Sequence, residues 1–124
     1  MTLALWILLA AFFLPFVAAG VAKWGRRDYD NAQPRAWEAQ LDGKRARAIA
    51  AMNNSFEALP FFATAVLVAH HLQAPQAWVD GLSGLWLLLR VLYLFLYVTN
   101  RASARSLVWL GGIVINVWLF VLAA

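Results

Sequence analysis

Four long apolar runs constrain what this chain can fold into more than any other feature. Of its 124 residues, 64% are hydrophobic, and each run is close to the roughly 20 helical residues that cross a hydrocarbon core of about 30 Å. Backbone polar groups must be satisfied inside a bilayer, so runs of this length fold there as helices. We therefore predict an all-α integral membrane protein, a single four-helix bundle with spans at residues 3–22, 47–72, 78–99 and 105–123.

The basic residues are distributed unevenly among the connections. Loop one, between the first two spans, has seven lysines and arginines if Arg47 at the start of the second span is counted. Loop three, between the last two, has Arg101 and, at the start of the fourth span, Arg105, whereas the turn at Pro75 and both termini have none. The positive-inside rule predicts loops one and three in the cytoplasm and both termini outside. Topology thus accounts for the net charge of +4, and we expect the lipid bilayer, not nucleic acid, as a partner. The segment "RAWEAQL" in loop one predicts a short helix.

Two kinds of chemistry are disfavoured. The chain has no cysteine, so any thiol nucleophile must arrive with a ligand. His70 and His71 are adjacent, and this spacing does not match the i, i+4 spacing of a chelating helix. We predict no metal site.

Polar residues interrupt the second span along one helix face. Arg47, Asn54 and Glu57 are separated by seven and three residues, and such spacing places side chains on the same side of a helix. A carboxylate facing lipid at that depth costs at least about 3 kcal/mol. Glu57 is therefore expected to face protein, water or a bound ligand.

The third span has a similar face. Arg90, Tyr93 and Tyr97 follow at i, i+3 and i+7, and Arg90 lies near the middle of the run. A buried arginine needs an anionic partner, and Glu57 is the only carboxylate at comparable depth. We expect contact between Arg90 and Glu57, within one subunit or between two.

A further polar face lies on the fourth span. Its members are Arg105, Trp109, Gly112 and Asn116. The spans together supply more cationic groups than one glutamate neutralises, which favours an anionic ligand or lipid head group. A structural interpretation stays open, because buried polar pairs in membrane bundles can serve only to set helix register or assembly.

Taken in order, these residues resemble a known family. The second span contains "NSFEALP", with Asn54, Glu57 and Pro60; the third contains Arg90, Tyr93 and Tyr97; the fourth begins with "ARSLVW", which holds Arg105. This set is similar to that of the MAPEG family, the membrane-associated proteins in eicosanoid and glutathione metabolism, and above all to its uncharacterised bacterial branch. The resemblance covers essentially the whole chain.

One position departs from the family pattern. Ala50 stands where the pattern has an arginine, and Arg47 is the nearest base on that face. The paired arginines Arg26 and Arg27 are similar to those of some members.

The resemblance implies a homotrimer in the bacterial inner membrane, with glutathione bound as a co-substrate between subunits near the cytoplasmic side. It implies a transferase or peroxidase that acts on hydrophobic electrophiles or lipid hydroperoxides. Arg105 would stabilise the glutathione thiolate, and the tripeptide would be bound by Arg47, Asn54, Glu57, Arg90, Tyr93 and Tyr97. The alternative is a non-catalytic membrane trimer that binds a lipid or another anionic small molecule.

A small drug exporter is a third possibility in principle, since such exporters also have four spans and a membrane glutamate. They carry that glutamate in the first span and have short loops, whereas Glu57 lies in the second span and loop one is long.

Overall fold

A computed structural model describes residues 1–124. It contains six helices: α1 (Leu3–Ala11), α2 (Leu14–Lys23), α3 (Pro34–Glu38), α4 (Gly43–His71), α5 (Gln76–Val98) and α6 (Ala102–Ala123). The all-α prediction is confirmed, and the predicted runs coincide with helices to within a few residues. The short helix predicted in loop one is α3.

Three helical stretches are long and apolar enough to cross a membrane: Leu3–Lys23, which joins α1 and α2, and the helices α5 and α6. The longest helix, α4, has 29 residues but is not among them. Basic residues in its first turns, together with Asn54 and Glu57 further along, lower its hydropathy. These three helices fit a membrane protein, and the fourth span stays a prediction.

The first span is divided at Phe12 and Phe13, which the sequence analysis did not anticipate. Pro15 has no N–H to donate to the carbonyl of Ala11, four residues earlier, and α1 ends at that residue. The amide of Phe13 instead bonds to the carbonyl of Ala10 at 3.0 Å in a tighter turn. By contrast, Pro60 lies inside α4 without ending it.

The helix α4 is central, because it packs against α1, α2, α5 and α6. Small residues form its contact faces: Ala48, Ala51, Ala65 and Ala69 are fully buried, as is Ala18 in α2. Small side chains let helix backbones approach closely, which increases the dispersion contacts that hold helices together in lipid.

The buried core divides into two apolar clusters. One contains Phe62 and Trp86, and the other contains Met52 and Leu94. Between them along α4 and α5 lie polar residues that we call the polar layer, namely Asn54, Ser55 and Arg90. This layer interrupts an otherwise apolar bundle and is the starting point for the functional site.

Loop one folds against the start of α4. Nη1 of Arg45 donates to the carbonyls of Ala22 at 2.7 Å and Trp24 at 2.8 Å, groups that α2 leaves without intrahelical donors. Further out, the ring of Trp37 meets that of Tyr29 edge-on, with 5.0 Å between centroids.

Arg26 forms an ion pair with Asp28 in loop one, and the effect of this pair on the pKa of Asp28 can be tested. This guanidinium donates hydrogen bonds to the carboxylate and holds the pKa of Asp28 at about 2, below its usual 3.8. A depressed carboxyl pKa means that the ion pair is fully present above pH ~4 and is lost as the pH falls through about 2. In Arg26→Gln, carboxyl NMR should show the Asp28 pKa returning towards 4; an unchanged value would contradict the ion pair's role.

Asp80, near the start of α5, joins two helices at the opposite end of the bundle. Its Oδ1 accepts hydrogen bonds from the Ala4 amide at 2.7 Å and from Nε2 of Gln76 at 2.8 Å. The preceding cap residue, Thr2, makes no side-chain capping bond. Asp80 therefore caps α1 from a distant part of the sequence.

Removing this cap should destabilise the protein modestly. Asp80→Ala is expected to lower the free energy of unfolding by about 1 kcal/mol, the usual cost of losing a helix cap. Asp80→Asn, which keeps an acceptor, should lose less. Reversible unfolding in mixed micelles measures both; equal losses would show that the hydrogen bond contributes nothing.

Candidate functional site

The site begins with Arg90 in the polar layer. Arg90 is only 4% exposed, and its Nη2 donates hydrogen bonds to Oδ1 of Asn54 at 3.0 Å and to Oγ of Ser55 at 3.4 Å. Its Nε has no partner. A buried guanidinium with neutral partners alone still has its charge uncompensated.

The prediction of a direct contact between Arg90 and Glu57 is wrong within one chain. Glu57 is exposed, and Nδ2 of Asn54 donates to its Oε2 at 3.4 Å, so Asn54 bridges the two charged groups. The reason is the direction of the side chains around α4. Ser55 faces α5, and Glu57, two residues later, is rotated by about 200° around the helix axis and so points away from α5. A contact between subunits stays a prediction.

Two tyrosines and two arginines continue the site along α5 towards α6. Cζ of Arg90 lies 4.2 Å from the ring centroid of Tyr93, and the rings of Tyr93 and Tyr97 meet edge-on at 5.7 Å. Cζ of Arg105 lies 4.1 Å from the ring centroid of Tyr97. Both cations are thus held by aromatic faces, and Arg105 forms no ion pair with any carboxylate.

Two neighbouring cavities adjoin these residues. The first, which we call the Asn116 cavity, has about 200 Å³ and lies between α4, α5 and α6. The second, the Arg105 cavity, has about 210 Å³ and is lined by Tyr93, Arg105 and Ser106. Asn54 and Trp109 line both, so the two cavities lie side by side.

Most of the residues predicted for the site fall here. Those that line a cavity are Asn54, Glu57, Arg90, Tyr93 and Arg105, and Tyr97 adjoins through Arg105. Arg47 lies apart: its Nε donates to the carbonyl of Val98 at 3.1 Å, at the end of α5. No cation stands at Ala50.

The structure adds residues that the sequence analysis did not assign to the site. Trp109 and Asn116 were placed on a shared face with Arg105, and that face does line the Asn116 cavity. Trp86 lies four residues before Arg90, a spacing that could have identified it. Nothing in the sequence distinguishes Ser55 from an ordinary buried serine. No group of three or more metal-ligating side chains is present.

Comparison with known proteins identifies the family. The chain matches the MAPEG family over residues 3–124, which is essentially its whole length. No curated protein and no solved structure gives a significant match. The three apolar helices and the buried polar groups between them accord with a membrane family linked to glutathione. The chain belongs to the MAPEG family of membrane-associated proteins in eicosanoid and glutathione metabolism.

Proposed function

We propose that this protein is a glutathione-dependent transferase or peroxidase that acts on lipophilic substrates inside the membrane. The observation that carries the proposal is the alignment of two cations with two tyrosines beside paired cavities. Arg90 and Arg105 lie over the rings of Tyr93 and Tyr97, and neither cation has a carboxylate partner.

The side chains present fit glutathione. That tripeptide carries two carboxylates, one amine and one thiol, and it is an anion at neutral pH. The site offers Arg90 and Arg105 for negative groups and exposed Glu57, held only by Asn54 at 3.4 Å, for the amine. Guanidinium groups suit carboxylates because they donate two parallel hydrogen bonds.

Arg105 is the residue that we assign to the thiol. A nearby guanidinium lowers the pKa of a thiol, and the thiolate is the reactive nucleophile. Glutathione supplies this nucleophile when bound, which accords with a chain that has no cysteine. The ring of Tyr97 positions the guanidinium at the rim of the Arg105 cavity.

Arg47 has a smaller part in the proposal. Its Nε is engaged with Val98, while its other two nitrogens donate to no protein group. They are available to bind a ligand carboxylate. Arg47 would then take the role of the arginine that the family pattern has at the position of Ala50.

The proposed assembly is a homotrimer of four-span subunits in a bacterial inner membrane. Loops one and three lie in the cytoplasm, both termini lie outside, and α4 is the fourth span, shielded by its neighbours. Support comes from the basic residues at the loop-one end and from apolar side chains such as Leu88 and Leu107, which remain exposed on α5 and α6. Lipophilic substrates would reach the site from the bilayer.

Glutathione binding tests the proposal. Isothermal titration of the purified protein in mild detergent should give saturable binding, and the complex should show thiolate absorbance at neutral pH. Ophthalmic acid, which replaces the thiol with a methyl group, should bind without that absorbance. Absence of both binding and thiolate signal would refute the proposal.

The alternative function is a non-catalytic trimer that binds a lipid or another anionic small molecule. It is favoured by Ala50 and by the hydrogen bond of Arg47 to the end of α5. Together they leave the ligand-binding face with one cation fewer than the family pattern has. Anionic phospholipid that copurifies and is not displaced by glutathione would support it.

A further inference from the structure

The side chain of Asn116 is buried without any hydrogen bond. The residue is 2% exposed, its Oδ1 has no partner, and its amide nitrogen donates to no protein group. A buried carboxamide without partners is unfavourable, and such groups in native structures normally bond to protein, water or ligand. The partner of Asn116 must therefore come from outside the chain.

A helix of a neighbouring subunit cannot pack directly on Asn116. Asparagine in a membrane helix often hydrogen-bonds to another helix and so fixes assembly. Asn116, however, is enclosed by its own chain, with Trp86 and Leu119 beside it among the most completely buried side chains. Whatever bonds to Asn116 has to enter the cavity that it lines.

That cavity has the size for a small molecule, and its lining is half apolar and half polar. It measures about 200 Å³, and a dry cavity of about 150 Å³ suffices to bind benzene. Trp86 and Gly112 both line it, and a Cβ added at Gly112 would make an ordinary van der Waals contact with Trp86, 3.6 Å from its Nε1. Glu57 and Arg90, which the proposed function assigns to glutathione, also line this cavity, so a molecule bound there would adjoin the tripeptide.

We propose that the Asn116 cavity binds the hydroxyl-bearing end of a lipophilic molecule and that Asn116 is its specificity-determining residue. The carboxamide can accept a hydrogen bond from a hydroxyl and can also donate one to it. The inference deepens the proposed function, on which it rests, because this molecule would be the lipophilic substrate. It narrows the substrate class to apolar compounds with an uncharged hydrogen-bonding group.

A pair of isosteric probes tests this directly. 4-Bromophenol and 4-bromotoluene differ by a hydroxyl in place of a methyl group, and the bromine quenches the fluorescence of nearby tryptophans such as Trp86 and Trp109. Titrations are done in detergent at neutral pH without glutathione, so that a failure of glutathione binding does not affect them. The wild type should bind the phenol about tenfold more tightly than the toluene, the usual effect of one buried hydrogen bond.

Two variants separate the role of Asn116 from partitioning into the micelle. Asn116→Leu should bring the affinity ratio close to one, while Asn53→Leu, the same change at an exposed position on α4, should leave it at the wild-type value. Equal ratios in the wild type and Asn116→Leu would overturn the proposal, as would a cavity that holds only water and binds neither probe.

Anomalous scattering from bromine gives a second readout if Asn116→Leu does not fold. Crystals of the wild type with 4-bromophenol should show a bromine peak within the Asn116 cavity, with the hydroxyl at hydrogen-bond distance from Asn116. A bromine peak elsewhere, or none at saturating probe, would overturn the assignment.

Discussion

Replacing Arg105 with alanine is expected to reduce the glutathione thiolate formed in the site at neutral pH about 25-fold. An adjacent cation typically lowers a thiol pKa by about two units from its usual 8.5, and loss of that effect takes the thiolate fraction at pH 7 from about three-quarters to about 3%. Glutathione affinity should fall less than about tenfold, because Asn54, Glu57 and Arg90 are unchanged. The variant thus separates activation of the thiol from binding of the tripeptide.

The measurement is thiolate absorbance against pH at saturating glutathione. Arg101→Ala is the matched control, since Arg101 is an exposed arginine that precedes α6 and lines neither cavity. It should keep the wild-type titration curve, and Arg105→Lys should retain part of the signal. If Arg105→Ala and Arg101→Ala give the same curve as the wild type, another group activates the thiol.

Phe62→Ala should destabilise the protein by about 3 kcal/mol, near the lower end of the range for buried phenylalanine. The lower end applies because lipid solvates apolar groups in the unfolded state. The cost of the substitution therefore comes mainly from the cavity that it leaves and from the lost dispersion contacts. Phe62 is fully buried and stacks on Trp86 with ring centroids 3.7 Å apart and planes inclined by 3°. Its loss would also free Trp86, a wall of the Asn116 cavity.

The neighbouring residue provides the control. Phe61→Ala removes the same atoms from a side chain that is 37% exposed, and it should cost less than half as much. Unfolding in mixed micelles, followed by circular dichroism, compares the two variants. Equal losses would mean that the stack of Phe62 on Trp86 is not a major source of stability.

The positions of the helices were largely predictable because the apolar runs are long and their ends are marked by polar residues. The break at Phe12 and Phe13 was not, although Pro15 was visible. Pro60 is also a proline within an apolar run and leaves α4 continuous. Whether a proline divides a helix depends on how neighbouring helices satisfy the freed carbonyl, which one helix's sequence does not show.

The candidate site was predictable as a set of residues but not as a set of contacts. Helical spacing grouped Arg90 with Tyr93 and Tyr97 because it depends only on the period of the helix. The pairing of Arg90 with Asn54 and Ser55 depends on how α4 is rotated against α5. Small residues along α4 determine that rotation through packing, and pattern analysis of a single helix cannot resolve it.

The central claim is that this chain binds glutathione as a trimer, and native mass spectrometry in mild detergent tests both parts at once. With glutathione present, the account predicts a trimer that carries glutathione, with the bound mass lost when glutathione is removed by dialysis. A monomer or dimer would contradict the assembly. A trimer that never carries glutathione, at any concentration that leaves the protein folded, would contradict the function.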